Sequence, residues 1–563
     1  MKKSATLLSI GGILFSTFSY SQLAVDSIEI NTLKARVYSD GGIEEMQTFD
    51  DTTYNTLLYA DGLWLASYDT STNTLHQSAQ TYRQDGLDFV PGPVSNDPNA
   101  TTKWDKVYRV NLQTLTDFKN GNTGGIPQEI ADWPAHGDTT MGEAYYLAPF
   151  VDVNNDGHYV PADGDYPQIR GDEAIYTIFN DANGRTTPAG VGLGVEVHSM
   201  LYGYRTGGIE DSVLFREYRI INRSNRSYSG AYMGIFADFD LGNSRDDLNG
   251  TNIWANSVFS YNGDSDDEGP AGFGLNLATC GMRMLQGPPA PFGDGKDNDK
   301  DGCRDGVRNA SGVCVPENLA TGVREQILLS GSMHYYNMPG NQGNPDTPLD
   351  YHQYLQSKWK NGNDLIIENP SGFLDNNNGD GYVANNVGPT TLFSFPGDTY
   401  DTTGNSLPSS ATNWFASPNS SNDVKSLAIA GPFNLNQGEE FTVATAYVWA
   451  RNANVDHGYG KINELLENLG NNYNNQPVRT VGINAYKANQ NYQLSFNTAS
   501  AEWAIINDED KNLSFELYTT TGQLMTKFDV DSDSKRTIPT QGFAKGVYLL
   551  VETKTGEAHK ITK

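Results

Sequence analysis

Three short runs in this chain set oxygen-bearing side chains at nearly every second residue. The clearest is Asp152-Val153-Asn154-Asn155-Asp156-Gly157-His158. Counted from Asp152, side-chain oxygens fall at loop positions 1, 3 and 5, and glycine falls at 6. The His158 carbonyl falls at position 7 and Asp163 at position 12. A loop with this spacing wraps a hard cation, here with Asp rather than Glu closing it. Ca²⁺ takes six to eight oxygens in a flexible shell, so crowded carboxylates suit it. Without a cation they repel one another, so an ion must stabilise the folded loop. The competing reading is a set of Asx turns with no metal. Asp165 is placed to join or replace Asp163. The second run is Asp297-Asn298-Asp299-Lys300-Asp301-Gly302. Arg308 stands at its position 12, so the closing ligand must come from elsewhere, with Asp305 the candidate. Asp375 to Gly381 is a looser version. The candidate ligands are therefore Asp152, Asn154, Asp156, His158 and Asp163, and Asp297, Asp299, Asp301 and Asp305. Calcium is the cofactor they imply. The flanks look like strands, so no EF-hand helix pair is expected.

Other groups carry weaker signals. Asp238, Asp240, Asp246 and Asp247 cluster around Gly242 at a strand end. Paired carboxylates there suit a metal or acid–base chemistry, although solvated turn acids are commoner. Glu196 and His198 share one face of a strand by alternation, and so could bind a metal or pass a proton. The plainer reading is a hydrogen-bonded pair in a half-buried strand. His136 reads as a loop anchor. No H-E-x-x-H, G-x-S-x-G or P-loop occurs. The three cysteines, Cys280, Cys303 and Cys314, allow one disulfide and one free thiol. Cys303–Cys314 would close a short loop across the second acidic run, and the two pairings with Cys280 stay open. With no C-x-x-C pair, zinc is disfavoured.

Strands must position these residues. Gly, Asn, Thr and Tyr abound, aromatics make up 11% of 563 residues, and such a composition favours strands and turns over helices. The formal charge of −30 would be repelled by phosphate backbones, so nucleic acid is excluded as a partner. Strand signals include 55–66, 214–221, 232–239 and 441–450. Helix patterns cover Lys103 to Phe118 and Ile462 to Leu469, the latter capped by Gly470. No fixed-period repeat argues for a propeller or solenoid. The expectation is all-β: a large elaborated β-sandwich-like body with acidic loops, over 22–469. An Asn-rich linker, 470–485, follows. The tail, 486–563, alternates apolar and polar residues and turns at Thr520-Thr521-Gly522 and Lys554-Thr555-Gly556, which predicts a small Ig-like β-sandwich of about seven strands.

The ends read as addresses. Lys2 and Lys3, an apolar stretch from Leu7 to Phe15 and Ser19-Tyr20-Ser21 make residues 1–21 a signal peptide. No later segment is apolar enough to predict a transmembrane span. Near the C-terminus stand Phe515-Glu516-Leu517-Tyr518, Thr521-Gly522-Gln523-Leu524 and Lys545-Gly546-Val547-Tyr548-Leu549-Leu550, with a final Lys560-Ile561-Thr562-Lys563. As a set over about 80 residues, they resemble the type A sorting domain of the type IX secretion system of Bacteroidota. That resemblance implies export by the type IX machinery acting through 486–563, removal of the sorting domain, and either release or attachment to the outer-membrane surface. In the body, Phe89-Val90-Pro91-Gly92-Pro93, Trp133-Pro134-Ala135-His136-Gly137, Asp163-Gly164-Asp165-Tyr166-Pro167 and Tyr261-Asn262-Gly263-Asp264 resemble a large family of secreted Bacteroidota proteins with the same tail. This second resemblance implies localisation and no activity.

Two functional classes follow. The first is a calcium-stabilised, non-enzymatic surface or matrix protein that presents Tyr and Trp to glycans or to other surface proteins. The second is a secreted polysaccharide hydrolase using paired carboxylates.

Overall fold

The computed structural model describes residues 23–50, 53–82, 88–184, 187, 190–309, 311–319, 322–370, 375–399, 413–418, 423–452, 456–473, 492–497, 502–507, 511–519, 524–532, 534–539, 547–553 and 558–562. The leader 1–21, the turns at 520–522 and 554–556 and most of the linker lie outside them.

The body is two antiparallel sheets packed face to face. The first has eight strands, in the order Val25–Ile28, Leu33–Tyr38, Ile43–Asp50, Thr53–Asp69, Tyr228–Asp238, Val424–Leu435 and Gly331–Tyr336. Its eighth strand, Leu75–Ala79, pairs with Thr53–Asp69. The second sheet has nine, in the order Asp247–Asn252, Ser257–Asn262, Leu277–Gln286, Glu440–Asn452, Val213–Asn222, Val195–Gly203, Glu173–Asn180 and Val90–Pro91, with Tyr108–Asn111 also on Glu173–Asn180. The all-β sandwich expected from composition is what the chain forms. Its predicted strands run longer than their apolar centres: the signal at 55–66 belongs to a single strand, Thr53–Asp69.

One buried ion pair joins the sheets. Arg216, on the nine-stranded sheet, donates from Nη1 to both Asp61 carboxylate oxygens of the eight-stranded sheet, at 3.1 and 3.0 Å. Tyr447 O–H donates to Asp61 at 2.7 Å, and Ser199 accepts from Arg216 Nε at 3.0 Å. Neither charged side chain is exposed. Such a pair survives burial only because its remaining donors and acceptors are also satisfied.

Several central strands are buried on both faces, because the sandwich wears a coat. Glu173–Asn180 and Val195–Gly203 are buried at every position. Trp133, from the 88–169 segment, packs on Tyr176 with ring centroids 5.2 Å apart. On the other sheet Tyr351, in the helix Pro348–Tyr354, meets the fully buried Trp64 edge-on at 4.8 Å.

Two helix expectations need correction. The run Lys103 to Phe118 is not one helix. It divides into the helix Ala100–Lys103, the strand Tyr108–Asn111 and the helix Leu112–Lys119. The open edge of Glu173–Asn180 recruits residues 108–111 as a strand, and the Asn111 side chain then caps the helix by accepting Gln113 N–H at 2.8 Å. The closing helix spans Tyr459–Tyr473 and runs through Gly470 instead of stopping there. Ile462, Leu466 and Leu469 are fully buried, which outweighs the roughly 1 kcal/mol cost of an interior glycine.

The tail has its own core, built on Trp503, Ile505, Phe515, Leu517, Val530 and Leu550. Its seven strands form a three-stranded and a four-stranded sheet, as an Ig-like sandwich requires.

Candidate cation-binding loops

The two D-x-(N/D)-x-D-G runs adopt one backbone turn. Position 4 is left-handed in both, at Asn155 (φ 59°) and Lys300 (φ 61°). Position 6 is left-handed too, at Gly157 (φ 80°) and Gly302 (φ 88°), which is why glycine stands there. The hydrogen bonds repeat as well. The position-1 carboxylate accepts the position-6 N–H: Asp152 from Gly157 at 2.7 Å, Asp297 from Gly302 at 3.0 Å. The position-3 side chain accepts the position-5 N–H: Asn154 from Asp156 and Asp299 from Asp301, both at 3.1 Å. The position-5 carboxylate accepts the position-7 N–H: Asp156 from His158 at 2.8 Å, Asp301 from Cys303 at 2.7 Å. The Asp375 loop does not share this pattern; Asp375 accepts from Asn377 N–H and Asp380 from Tyr382 N–H.

Of the two closing acids offered for the first loop, Asp165 is the one that turns back onto it. Asp163 ends a 3-10 turn and stays exposed. Asp165, fully buried, turns back and accepts Val153 N–H and Val160 N–H, each at 2.8 Å. In the second loop Asp305 caps a turn by accepting Gly295 N–H at 2.7 Å. The place equivalent to Asp165 belongs to Glu325, which accepts the N–H of Asn298, the position-2 residue, as Asp165 accepts that of Val153. Glu325 lies 27 residues after Asn298 and has no sequence signature. Arg308 contributes no ligand; its N–H donates to Asp301.

The second loop has gathered its acids. Oxygens of Asp297, Asp299 and Glu325 lie within 4.8 Å of one another. Asp297 Oδ1 is buried and accepts no hydrogen bond. Lys300, the base within the run, points away and donates to Asn256 Oδ1 at 2.6 Å and Leu329 O at 2.7 Å. Burial, reinforced by the neighbouring carboxylates, pushes Asp299 up to about 7 and Glu325 up to about 8. The Cys303–Cys314 disulfide ties the far side of this loop, leaving Cys280 a buried free thiol. The Asp152 loop is more open, and its acids do not close to the same spacing. It is instead built into an aromatic cluster. Tyr146 O–H donates to Gly157 O at 3.3 Å, Tyr145 O–H meets His158 Nδ1, and His136 Nε2 accepts Tyr159 N–H at 2.9 Å. His136 thus anchors the loop. Tyr146 remains 57% exposed.

The strand-end acids divide between two places. Asp238 and Asp240 gather with Asp423, beside the fully buried Lys425. Lys425 pairs with Asp423 and lies 3.7 Å from Asp238, and Tyr82 O–H donates to Asp238 at 2.6 Å. Burial raises both Asp238 and Asp240. Asp246 gathers with Asp264 and Glu268.

Glu196 and His198 are fully enclosed. Glu196 Oε1 accepts from His198 Nε2 at 3.0 Å and from Arg223 Nη2 at 2.7 Å, and Tyr176 O–H meets His198 Nδ1 at 2.9 Å. Burial alone would raise Glu196, but His198 and Arg223 outweigh it and bring it down to about 2. Every polar end of this pair is occupied, as a structural pair requires.

No family model and no curated protein matches the chain. Among solved structures it is similar to a polysaccharide lyase, at 7% identity and a TM-score of 0.25, covering 97% of this chain and 47% of that one. It is also similar to a candidate aldose 1-epimerase from Escherichia coli K12, at 10% identity and a TM-score of 0.24, covering 77% of this chain and all of the other. The chain spans about half the length of the lyase. Neither likeness defines an activity for this chain. Among the described residues, no helix is long and apolar enough to cross a membrane.

Proposed function

We propose that this is a calcium-stiffened β-sandwich, exported through its last 80 residues by the type IX route. Outside the cell it serves as a non-enzymatic surface protein that binds glycans or neighbouring surface proteins. One observation carries the reading: the Asp152 loop, with its calcium spacing, holds the exposed Tyr146 by a hydrogen bond to Gly157 O. A cation that orders the loop would then also order an aromatic face of the kind that stacks on sugar rings. The test is native electrophoresis of the full chain through gels cast with different polysaccharides. Calcium-dependent retardation, abolished by Tyr146→Ala, is expected. Free migration through every gel removes the glycan reading and leaves protein partners.

The hydrolase reading rests on Asp238 and Asp240, two neighbouring carboxylates that burial raises. It requires clearing of a polysaccharide gel, lost in Asp240→Asn. Retardation with the gel intact rejects it.

A further inference from the structure

Of the three acidic clusters, the Asp238 group already holds a cation of its own, Lys425. The Asp297 group belongs to the loop described above. The third contains no such counter-charge. Asp246, Asp264 and Glu268 bring oxygens within 4.8 Å of one another. Asp247 and Asp267 stand behind them, 3% and 2% exposed. Among the described residues, none of these five carboxylates is ion-paired with a Lys or Arg.

The unpaired oxygens are the second observation. Asp247 Oδ2 accepts Leu241 N–H at 2.8 Å, but its Oδ1 is buried and accepts nothing. The charges that this carboxyl faces are Asp240, Asp246 and Asp267, all of its own sign. Asp246 repeats the arrangement. Its other oxygen accepts from Asn262 Nδ2 at 3.3 Å, while Oδ1 is buried and bare. A buried carboxylate oxygen with no donor is costly, and the cost grows beside like charges. The backbone is already committed to holding the acids in place. Asp267 accepts Asn243 N–H at 3.0 Å and Phe273 N–H at 2.7 Å, pinning one loop to the other.

We infer that Asp246, Asp264 and Glu268, backed by Asp247, form a further divalent-cation site with calcium as its natural occupant. The site has a mechanical consequence. Residues 239–246 carry the chain from the eight-stranded sheet, at the end of Tyr228–Asp238, to the nine-stranded sheet, at the start of Asp247–Asn252. Along the way Gly242 N–H donates to Thr56 O at 3.1 Å, and Asn55 Nδ2 donates to Ala271 O at 3.0 Å. A cation here clamps this short crossover between the two sheets, whereas one at Asp297–Glu325 stiffens the long connection from Leu277–Gln286 of the nine-stranded sheet to Gly331–Tyr336 of the eight-stranded one.

The inference stands independently of the two D-x-(N/D)-x-D-G loops, and its test separates them. Calcium binding to the chelator-stripped full chain is measured by titration calorimetry for wild type, Asp264→Asn/Glu268→Gln and Asp297→Asn/Glu325→Gln. Asp264 and Glu268 are exposed, so their variant keeps the fold, checked by circular dichroism. Each double variant is expected to lose one bound ion per chain, additively. If the Asp264/Glu268 variant binds as many ions as wild type with unchanged affinity, the inference is overturned, even where the Asp297/Glu325 variant has lost one. Hydrogen exchange on the wild type is the second measurement. Calcium is expected to slow exchange at the Asn243 and Phe273 amides, and unchanged exchange there also overturns it.

Discussion

At Glu325 a proton would compete with the proposed cation for the same oxygens. In chelated protein, burial holds Glu325 up at about 8 and Asp299 up at about 7, against ordinary values of 4.5 and 3.8. A folded-state value raised in this way contributes stability at low pH and loses it as pH climbs through the raised value. The buried histidines act elsewhere: His334 and His352 are held down near 4 from an ordinary 6.5, so their contribution is complete above that point. Between pH 6.5 and 8 the chelated protein should therefore lose stability, and saturating calcium should remove the share due to Glu325 and Asp299 while leaving that of Asp238, which burial also raises. Thermal melts at the two pH values, with and without chelator, check this; a chelated protein equally stable at both is the contrary result. Arg216 supports a second prediction. Arg216→Met leaves the Asp61 charge buried and uncompensated, which should cost about 3–5 kcal/mol in denaturant unfolding. Adding Asp61→Leu should restore much of that, and a double variant as weak as the sum of the singles would contradict the pairing.

At the scale of elements, the loops divide between what spacing sets and what folding adds. The Asp152 and Asp297 turns are legible because positions 1, 3, 5 and 6 are local, and local hydrogen bonds fix their shape. Asp165 is legible only as an alternative to Asp163, and Glu325 not at all, because each arrives after the chain has turned back on itself. A similar contest decided residues 103–118. Val107, Val110 and Leu115 suit a helix period, but a vacant sheet edge claimed the middle as strand. The disulfide belongs to this scale. Cys303→Ser/Cys314→Ser reopens a short loop, which by the chain-entropy model should cost roughly 2–4 kcal/mol of local stability. The expected reading is weaker calcium binding at the Asp297 loop with the Asp152 loop unaffected, measured by calorimetry on variants that retain one loop at a time. Equal affinity with and without the bridge would show that the bridge does not set the loop.

At the scale of the whole molecule, the described residues form two hydrophobic cores, one running from Ile28 to Leu469 and one within the tail. A body cut after residue 473 should therefore melt cooperatively at the full chain's temperature, because it keeps every buried contact of its own core. A broad or lowered transition would mean that the tail supports the body. The export proposal is tested at the same scale. Fusing 486–563 to a periplasmic reporter should carry it outside, and deleting the segment should strand the native protein inside.

Composition and alternation by themselves determined the all-β class, the tail sandwich and the two cation-type turns, since each depends on residues within a few positions of one another. Tertiary structure alone decided which acids meet. It sent Asp238 and Asp240 to Asp423 and Lys425, and Asp246 to Asp264 and Glu268, although the four strand-end acids stand within ten residues in the chain. It also enclosed the Glu196–His198 pair, which the sequence left open between chemistry and structure. The physical reason is the same in each case. Carboxylates act on one another across a few ångströms of space, and a crossover between two sheets reorders those distances in a way that no linear spacing records.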